Sequence, residues 1–288
     1  MGDMRFAIVL LALVQSTASA DPPTRQMIAG AIDHTFLKTG EHGVTLAQQR
    51  AAVAQLVNDA HRHGAYSVCV REHMVGHARK LLNELNSPVK LTSVIGFPSG
   101  DQFSTDQKLG LVRQARQYGA DEYDMVLRYE DFKQGDHQRA YDDVRQVSRE
   151  VGPQVLKVIF ETAYLDDQQK QAAYELVAKA FTDAAGSDAD VLGRRFLKTS
   201  TGFASPTDGA PVGATLADVE KMHAVSRGRF GIKPAGGVSA YEDALKFFAA
   251  AGAPYSADGK SIDPMKFRIG SSSLLLKLFA EEPVGKDY

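Results

Sequence analysis

The chain has 288 residues, 24% charged and 44% hydrophobic, with a formal charge of −2 at pH 7; that length accommodates either one α/β barrel of about 250 residues or two smaller domains. Its charges are interspersed, with no basic stripe and no acidic tail, which argues against nucleic acid and anionic membrane surfaces as partners and leaves a small neutral or anionic ligand. Cys69 is the only cysteine, so an intrachain disulfide and a Cys-rich metal site are excluded, and a reducing compartment is suited.

Residues 6–14 are a short apolar run behind Arg5, and Ala18-Ser19-Ala20 ahead of Asp21 resembles a small-residue cleavage site, so residues 1–24 read as an extension with a signal-like start. The run is too short to span a bilayer; an extra N-terminal helix, or an upstream start codon chosen in place of a later one, is the alternative. From residue 25 onward, short β-branched runs alternate with longer stretches of helical period. In chain order these predict a strand at 31–35 and a helix at 45–63, then a strand at 67–71 and a helix at 73–85. A strand at 91–97, a helix at 105–118, a strand at 122–127 and a helix at 136–150 follow. The second half predicts strands at 155–161, 195–199, 230–234 and 267–270, each with its helix, at 167–184, 215–225, 241–251 and 272–281. Eight strand-then-helix units without a Pro/Gly-rich linker at the midpoint predict a closed (β/α)8 TIM barrel over 25–281, with a short N-terminal helix and a C-terminal tail over 282–288. No dinucleotide-binding, Walker or His-Glu-x-x-His pattern supports a competing architecture.

In such a barrel the chemistry sits where strands end and loops begin. Asp33 and Lys38 flank the first strand end, Asp124 lies in "EYDMVL", Lys157 and Glu161 in "LKVIFET", Lys198 in "FLKTS" and Lys233 in "GIKPAGG". Taken singly, each reads as part of a salt bridge across the barrel mouth. As a set they read differently, because a buried lysine beside a second lysine loses proton affinity, and a neutral lysine is the nucleophile of Schiff-base chemistry. Strand alternation allows Lys198 and Lys233 to point inward from neighbouring strands, with an acid such as Asp124 moving protons directly or through a water. "PAGGVS" and "IGSSS", after the seventh and eighth strands, give an independent signal. Gly236-Gly237 lets backbone amides approach a ligand closely, and Ser271-Ser272-Ser273 would open a helix whose free amides attract an anion. That is where barrels usually hold phosphate, although a glycine pair by itself is more often only a turn.

The motifs "IDHTFLK" (32–38), "SVCV" (67–70), "VIGFPSG" (94–100), "EYDMV" (122–126), "LKVIFET" (156–162), "LKTSTGF" (197–203), "GIKPAGGVSAYEDAL" (231–245) and "RIGSSSLL" (268–275) fall in order at these strand ends. Together they resemble the deoxyribose-phosphate aldolases over nearly the whole chain after residue 25. The resemblance implies a class I aldolase, needing no metal or other cofactor, that reversibly cleaves 2-deoxy-D-ribose 5-phosphate to glyceraldehyde 3-phosphate and acetaldehyde in deoxyribonucleotide catabolism. It places the Schiff-base lysine on Lys198, the lysine that depresses its pKa on Lys233 and the proton relay on Asp124. It places sugar contacts on Asp33 and Thr35, and gives Lys157 the task of holding Asp124 and a catalytic water. Phosphate contacts fall on Gly202, Gly236, Gly237, Gly270, Ser272 and Ser273. Cys69 matches a position near the substrate in some members, against the competing reading of a buried inert thiol. Tyr288 matches the tyrosine that ends a mobile tail reaching the site. The implied partners are sugar phosphates and aldehydes, with no nucleic acid and no membrane, in a homo-dimer or tetramer. A substrate arising from nucleoside breakdown favours the cytoplasm despite the leader-like start.

Two departures bear on phosphate. Many relatives carry an arginine after Gly-Gly-Val where this chain has Ser239, and some carry a lysine after Thr-Gly where it has Phe203 followed by the long "ASPTDGAPVG" segment. His61, His63, His73 and His77 sit at helix-like positions and read as solvated. A metal-dependent barrel aldolase or isomerase would need clustered His and Glu at strand ends, where the chain offers Glu161 and His34. A catalytically silent sugar phosphate-binding barrel would be expected had Lys198, Lys233 or Asp124 been lost.

Overall fold

Eight parallel strands, β1 (Ile32–Phe36), β2 (Ser67–Val70), β3 (Lys90–Ile95), β4 (Glu122–Val126), β5 (Val155–Ile159), β6 (Arg195–Lys198), β7 (Gly231–Lys233) and β8 (Ile269–Ser271), pair in chain order from β1 to β7, and β8 returns to β1. These elements come from a computed structural model, which describes residues 21–207 and 209–280. The seam between β7 and β8 is closed by backbone hydrogen bonds, Ile232 N to Lys266 O at 3.0 Å, Arg268 N to Ile232 O at 3.1 Å and Gly270 N to Pro234 O at 2.9 Å. The expected TIM barrel is therefore the observed one.

The helices are α1 (Arg25–Ala29), α2 (Leu46–His63), α3 (Val75–Glu84), α4 (Thr105–Gln117), α5 (Tyr129–Lys133), α6 (His137–Val151), α7 (Asp167–Ala185), α8 (Ala189–Leu192), α9 (Leu216–Ser226), α10 (Tyr241–Ala250) and α11 (Leu274–Phe279). Thr45, Ser104, Asp136, Asp166 and Thr215 cap α2, α4, α6, α7 and α9, each accepting from the backbone N–H three residues on. Where the sequence reading began a helix on its cap, as at Thr45, Asp136 and Thr215, the observed helix starts one residue later, because the cap residue is not itself helical. Strands β2 to β7 end one or two residues earlier than expected, because their last residues turn out of the sheet to build the mouth, whereas β1 and β8 each run one residue further. Glu161, read as the end of the fifth strand, adopts a left-handed backbone with φ of 54°. The five-residue α5 and four-residue α8 are too short for a period to reveal them. A short helix not expected from the sequence at this position, α1, precedes β1, capped by Thr24 and packed against α10 and α11. Residues 1–20 and 281–288, including Tyr288, lie outside the described residues.

Alternation along the strands puts chemistry inside and apolar packing outside. On β4, Glu122 and Asp124 share the inward face, while Tyr123 between them and Met125 after them face the helices. Lys157 on β5 stands in register with Asp124, and Lys198 on β6 with Lys233 on β7. One buried ion pair outside the barrel steadies this arrangement: Lys108 Nζ of α4 donates to Asp143 Oδ2 of α6 at 2.5 Å and to the Val126 carbonyl, which ends β4, at 3.0 Å. Both side chains are fully buried. Among the described residues, no helix is long and apolar enough to cross a membrane.

Removing one partner of that pair leaves a buried charge uncompensated, so Asp143→Ala is expected to lower unfolding free energy by about 3–5 kcal/mol, whereas Lys108→Met with Asp143→Leu recovers most of the loss. Urea denaturation of the three proteins checks this, and equal stability of Asp143→Ala and the parent would refute it.

Candidate active site

Seven charged side chains meet inside the barrel, three carboxylates (Asp33, Glu122, Asp124) and four bases (Lys157, Lys198, Lys233, Arg268). Lys157 Nζ lies 2.7 Å from Glu122, 3.0 Å from Asp124 and 3.4 Å from Asp33. Lys233 Nζ donates to Asp33 Oδ2 at 2.5 Å and Asp124 Oδ2 at 2.7 Å. Arg268 bridges Asp33 at 2.7 Å and Glu122 at 2.9 Å. Lys198 reaches one carboxylate among the described residues, donating to Asp124 Oδ2 at 2.6 Å. The cluster thus holds one cation too many for its carboxylates, and Lys198 is the base with the fewest anionic partners.

The proton affinities follow this geometry. Burial lowers the pKa of Lys198, Asp124 opposes that shift, and the Lys233 ammonium adds to it, the net direction being downward. For Lys233, burial is outweighed by Asp124 and Asp33, and its pKa rises. Lys157 is likewise pushed up, its burial outweighed by Asp124, Asp33 and Glu122. Burial alone would raise Asp124, but Lys157, Lys198 and Lys233 together hold it well below the usual carboxylate range. The sequence reading attributed the lowered affinity of Lys198 to its neighbouring lysine; burial is the larger cause and the second ammonium contributes behind it. Both Nζ atoms bond the same carboxylate oxygen from inside the barrel, as the alternation argument requires.

Above the cluster opens a cavity of about 430 Å³ at the C-terminal ends of the strands, a size suited to a small ligand. Lys198, 3% exposed, is the one member of the cluster that lines it. Of the residues expected to touch a sugar, Thr35 lines the cavity, while Asp33 lies beneath it, tied to Lys233, Arg268 and the Ser67 hydroxyl. Lys157 holds Asp124, the arrangement expected of it. Cys69 is fully buried in the barrel wall and does not line the cavity; burial pushes its thiol up to about 11. The expected anion-binding residues Gly202, Gly236, Gly237, Gly270, Ser272 and Ser273 all line the cavity. Their geometry differs from expectation at two points: Gly270 N is spent on the Pro234 carbonyl at 2.9 Å, and Ser271 Oγ already accepts from Ser273 N at 3.3 Å and Leu274 N at 3.0 Å, so two amides at the start of α11 are occupied. Gly236, at φ of 85°, sits so close to Gly213 that a Cβ would meet the Gly213 Cα at 2.8 Å.

A second recess of about 450 Å³ lies outside the barrel between α7 and α9, where Glu175, Lys179, Asp183, Arg227 and Arg229 are all exposed; it lacks the buried charges of the barrel interior. His61, His63, His73 and His77 lie on the outer helices, exposed or half-buried, and make local contacts such as His63 stacked on Phe279.

A family model described as DeoC/LacD family aldolase matches residues 27–276. The chain belongs to the DeoC/LacD aldolase family. It is 40% identical to the deoxyribose-phosphate aldolase of Deinococcus radiodurans, over 77% of this chain and 89% of that one, and 38% identical to that of Thermococcus gammatolerans, over 77% and 88%. The crystal structure of a protein from Coccidioides immitis described as a candidate deoxyribose-phosphate aldolase superposes with a TM-score of 0.70 at 31% identity, covering 89% of this chain and 85% of that one. The protein is thus an aldolase of the deoxyribose-phosphate type, and its family membership agrees with the barrel read from alternation.

The sequence reading missed Glu122 and Arg268 as members of the charged cluster, although Glu122 is two residues before Asp124 and so shares its strand face. It also left Glu161 without a role. Glu161 Oε2 accepts from Thr201 N at 3.1 Å and from the Thr201 hydroxyl, which ties the end of β5 to the loop after β6; burial pushes this carboxyl up.

Only the uncharged amine attacks a carbonyl, so trapping of acetaldehyde on Lys198 by borohydride is expected to rise with pH, with its midpoint below the ordinary lysine value. Lys233→Leu removes a charge that lowers the Lys198 pKa, so the midpoint moves up and the trapping rate at pH 7 falls, on the order of tenfold. An unmoved profile would remove Lys233 from control of that proton.

Proposed function

We propose that this chain reversibly cleaves 2-deoxy-D-ribose 5-phosphate to D-glyceraldehyde 3-phosphate and acetaldehyde through a Schiff base on Lys198. The observation that carries the reading is the surplus cation: Lys198 has one carboxylate partner, a lowered proton affinity and the only place in the charged cluster that opens to the cavity. The neutral amine attacks the C1 aldehyde of the open-chain sugar, and loss of water leaves an iminium. The iminium draws the electrons of the C2–C3 bond as that bond breaks, while the C3 hydroxyl gives up its proton and becomes the aldehyde of the departing three-carbon phosphate. The enamine left on Lys198 is then protonated at C2 and hydrolysed to acetaldehyde and free amine.

Asp124 is the acid-base group best placed for these transfers, since it contacts Lys198 directly and is kept anionic by its three lysines. Lys233, kept charged by Asp33 and Asp124, helps hold the neighbouring amine neutral. Asp33 and Lys157 fix the positions of these two groups from below. The relatives at 38–40% identity bear the name of this reaction, and the retained lysines and aspartate favour a working enzyme over a silent barrel. The same reading puts the protein in the cytoplasm, in deoxyribonucleotide breakdown.

The test is borohydride reduction with acetaldehyde followed by peptide mass analysis. The expected adduct sits on Lys198 and disappears in Lys198→Ala, whose cleavage rate falls by about four orders of magnitude or more. Asp124→Asn is expected to lower kcat by about 10²–10⁴-fold. Activity that is lost to a chelator and leaves no adduct would support the metal-dependent alternative instead.

A further inference from the structure

The wall of the cavity carries Lys38, Lys198 and Lys277 and, among the described residues, no aspartate or glutamate. Lys198 is committed to Asp124 at the floor. Lys38, two residues past β1, and Lys277, on α11, are exposed and form no ion pair among the described residues. Lys277 is four residues after Ser273, to whose carbonyl its own N–H donates at 3.2 Å. Helical side chains lean toward the helix N-terminus, so the Lys277 ammonium is carried back over Ser273 and the cavity rim.

These cations stand where the chain otherwise lacks charge. Ser239 lines the cavity with a neutral side chain. Phe203 also lines it, with its ring against Phe97 at 5.4 Å and His42 at 5.0 Å between centroids, as an apolar wall. Two amides at the start of α11 are spent on Ser271 and the Gly270 amide on the Pro234 carbonyl, which leaves the amides of Gly202, Gly236 and Gly237 and the Ser272 and Ser273 hydroxyls as neutral donors. A dianion held by neutral donors alone is bound less firmly than one with charged partners.

We infer that Lys38 and Lys277 are the specificity-determining cations of this site, selecting the phosphorylated end of the substrate in place of side chains at 203 and 239. The inference rests on the aldolase reading above, and it assigns the two lysines to binding rather than to bond cleavage.

The test compares kcat/KM for 2-deoxyribose 5-phosphate and for unphosphorylated 2-deoxyribose in the full chain and in Lys38→Ala, Lys277→Ala and Lys277→Arg, with inorganic phosphate as a competitive probe. The expected result is a fall of about tenfold in the ratio of the two values in each alanine variant, expressed mainly as a higher KM for the phosphorylated sugar. Inhibition by inorganic phosphate weakens by a similar factor, and Lys277→Arg restores most of the ratio. A ratio and a phosphate inhibition that do not move in either alanine variant overturn the inference. Borohydride trapping of acetaldehyde on the parent protein separates the two levels: an adduct with an unmoved ratio defeats this inference alone, whereas no adduct defeats the aldolase reading and the inference with it.

Discussion

Two ammonium groups share one carboxylate oxygen at the centre of this barrel, and the proposed chemistry depends on that sharing. Asp124 Oδ2 accepts from Lys198 and Lys233 at almost equal distances. Burying charge is costly unless partners surround it, and the cluster meets that cost for every member but one. Asp33, Glu122 and Asp124 are each contacted by at least two bases. The remaining cation is the one whose proton is easiest to lose, and it is the one that meets solvent. Its lowered proton affinity comes from burial first and from the neighbouring Lys233 ammonium behind it.

The two ends of the strands divide the labour. Low in the barrel, Arg268 locks Asp33 and Glu122 in place through charge-assisted hydrogen bonds, its guanidinium 3.3 Å above the Tyr66 ring centroid. Higher up, the loops after β6, β7 and β8 supply glycine backbone and serine hydroxyls around open space. A rigid charged interior under an adaptable rim is a common arrangement in barrel enzymes, because loop changes alter what binds without disturbing what reacts. Ser239 and Phe203 belong to that rim alone.

The architecture was legible from residue patterns because each strand and each long helix has its own period, and the inward lysines stood out as charges in apolar runs. The partners of those lysines were less legible. A strand pattern gives the face of a residue but not its height relative to other strands, so the contact between Asp33 on β1 and Lys233 on β7 follows only from the stagger of the closed sheet. Glu122 was within reach of the alternation argument. Arg268 was harder, since it precedes β8 and was read as part of a motif rather than as a buried charge. The cause of the low proton affinity at Lys198 was also only partly readable: like-charge repulsion is visible in a list of residues, whereas burial is a property of the folded surroundings. The occupied amides near Ser271 depend on one hydroxyl orientation that no motif encodes.

The excursion between Phe203 and Ala214 is fastened on both sides. Phe203 N donates to Thr201 Oγ1 at 3.0 Å, Ser205 N to the Tyr164 hydroxyl at 2.9 Å, and Ala214 N to the Gly236 carbonyl at 3.1 Å. Thr201 is in turn tied to Glu161. Clamped in this way, the stretch behaves as a cassette: its length and composition can drift, or be rewritten by an engineer seeking bulkier aldehydes, while the frame that carries Lys198 keeps its register.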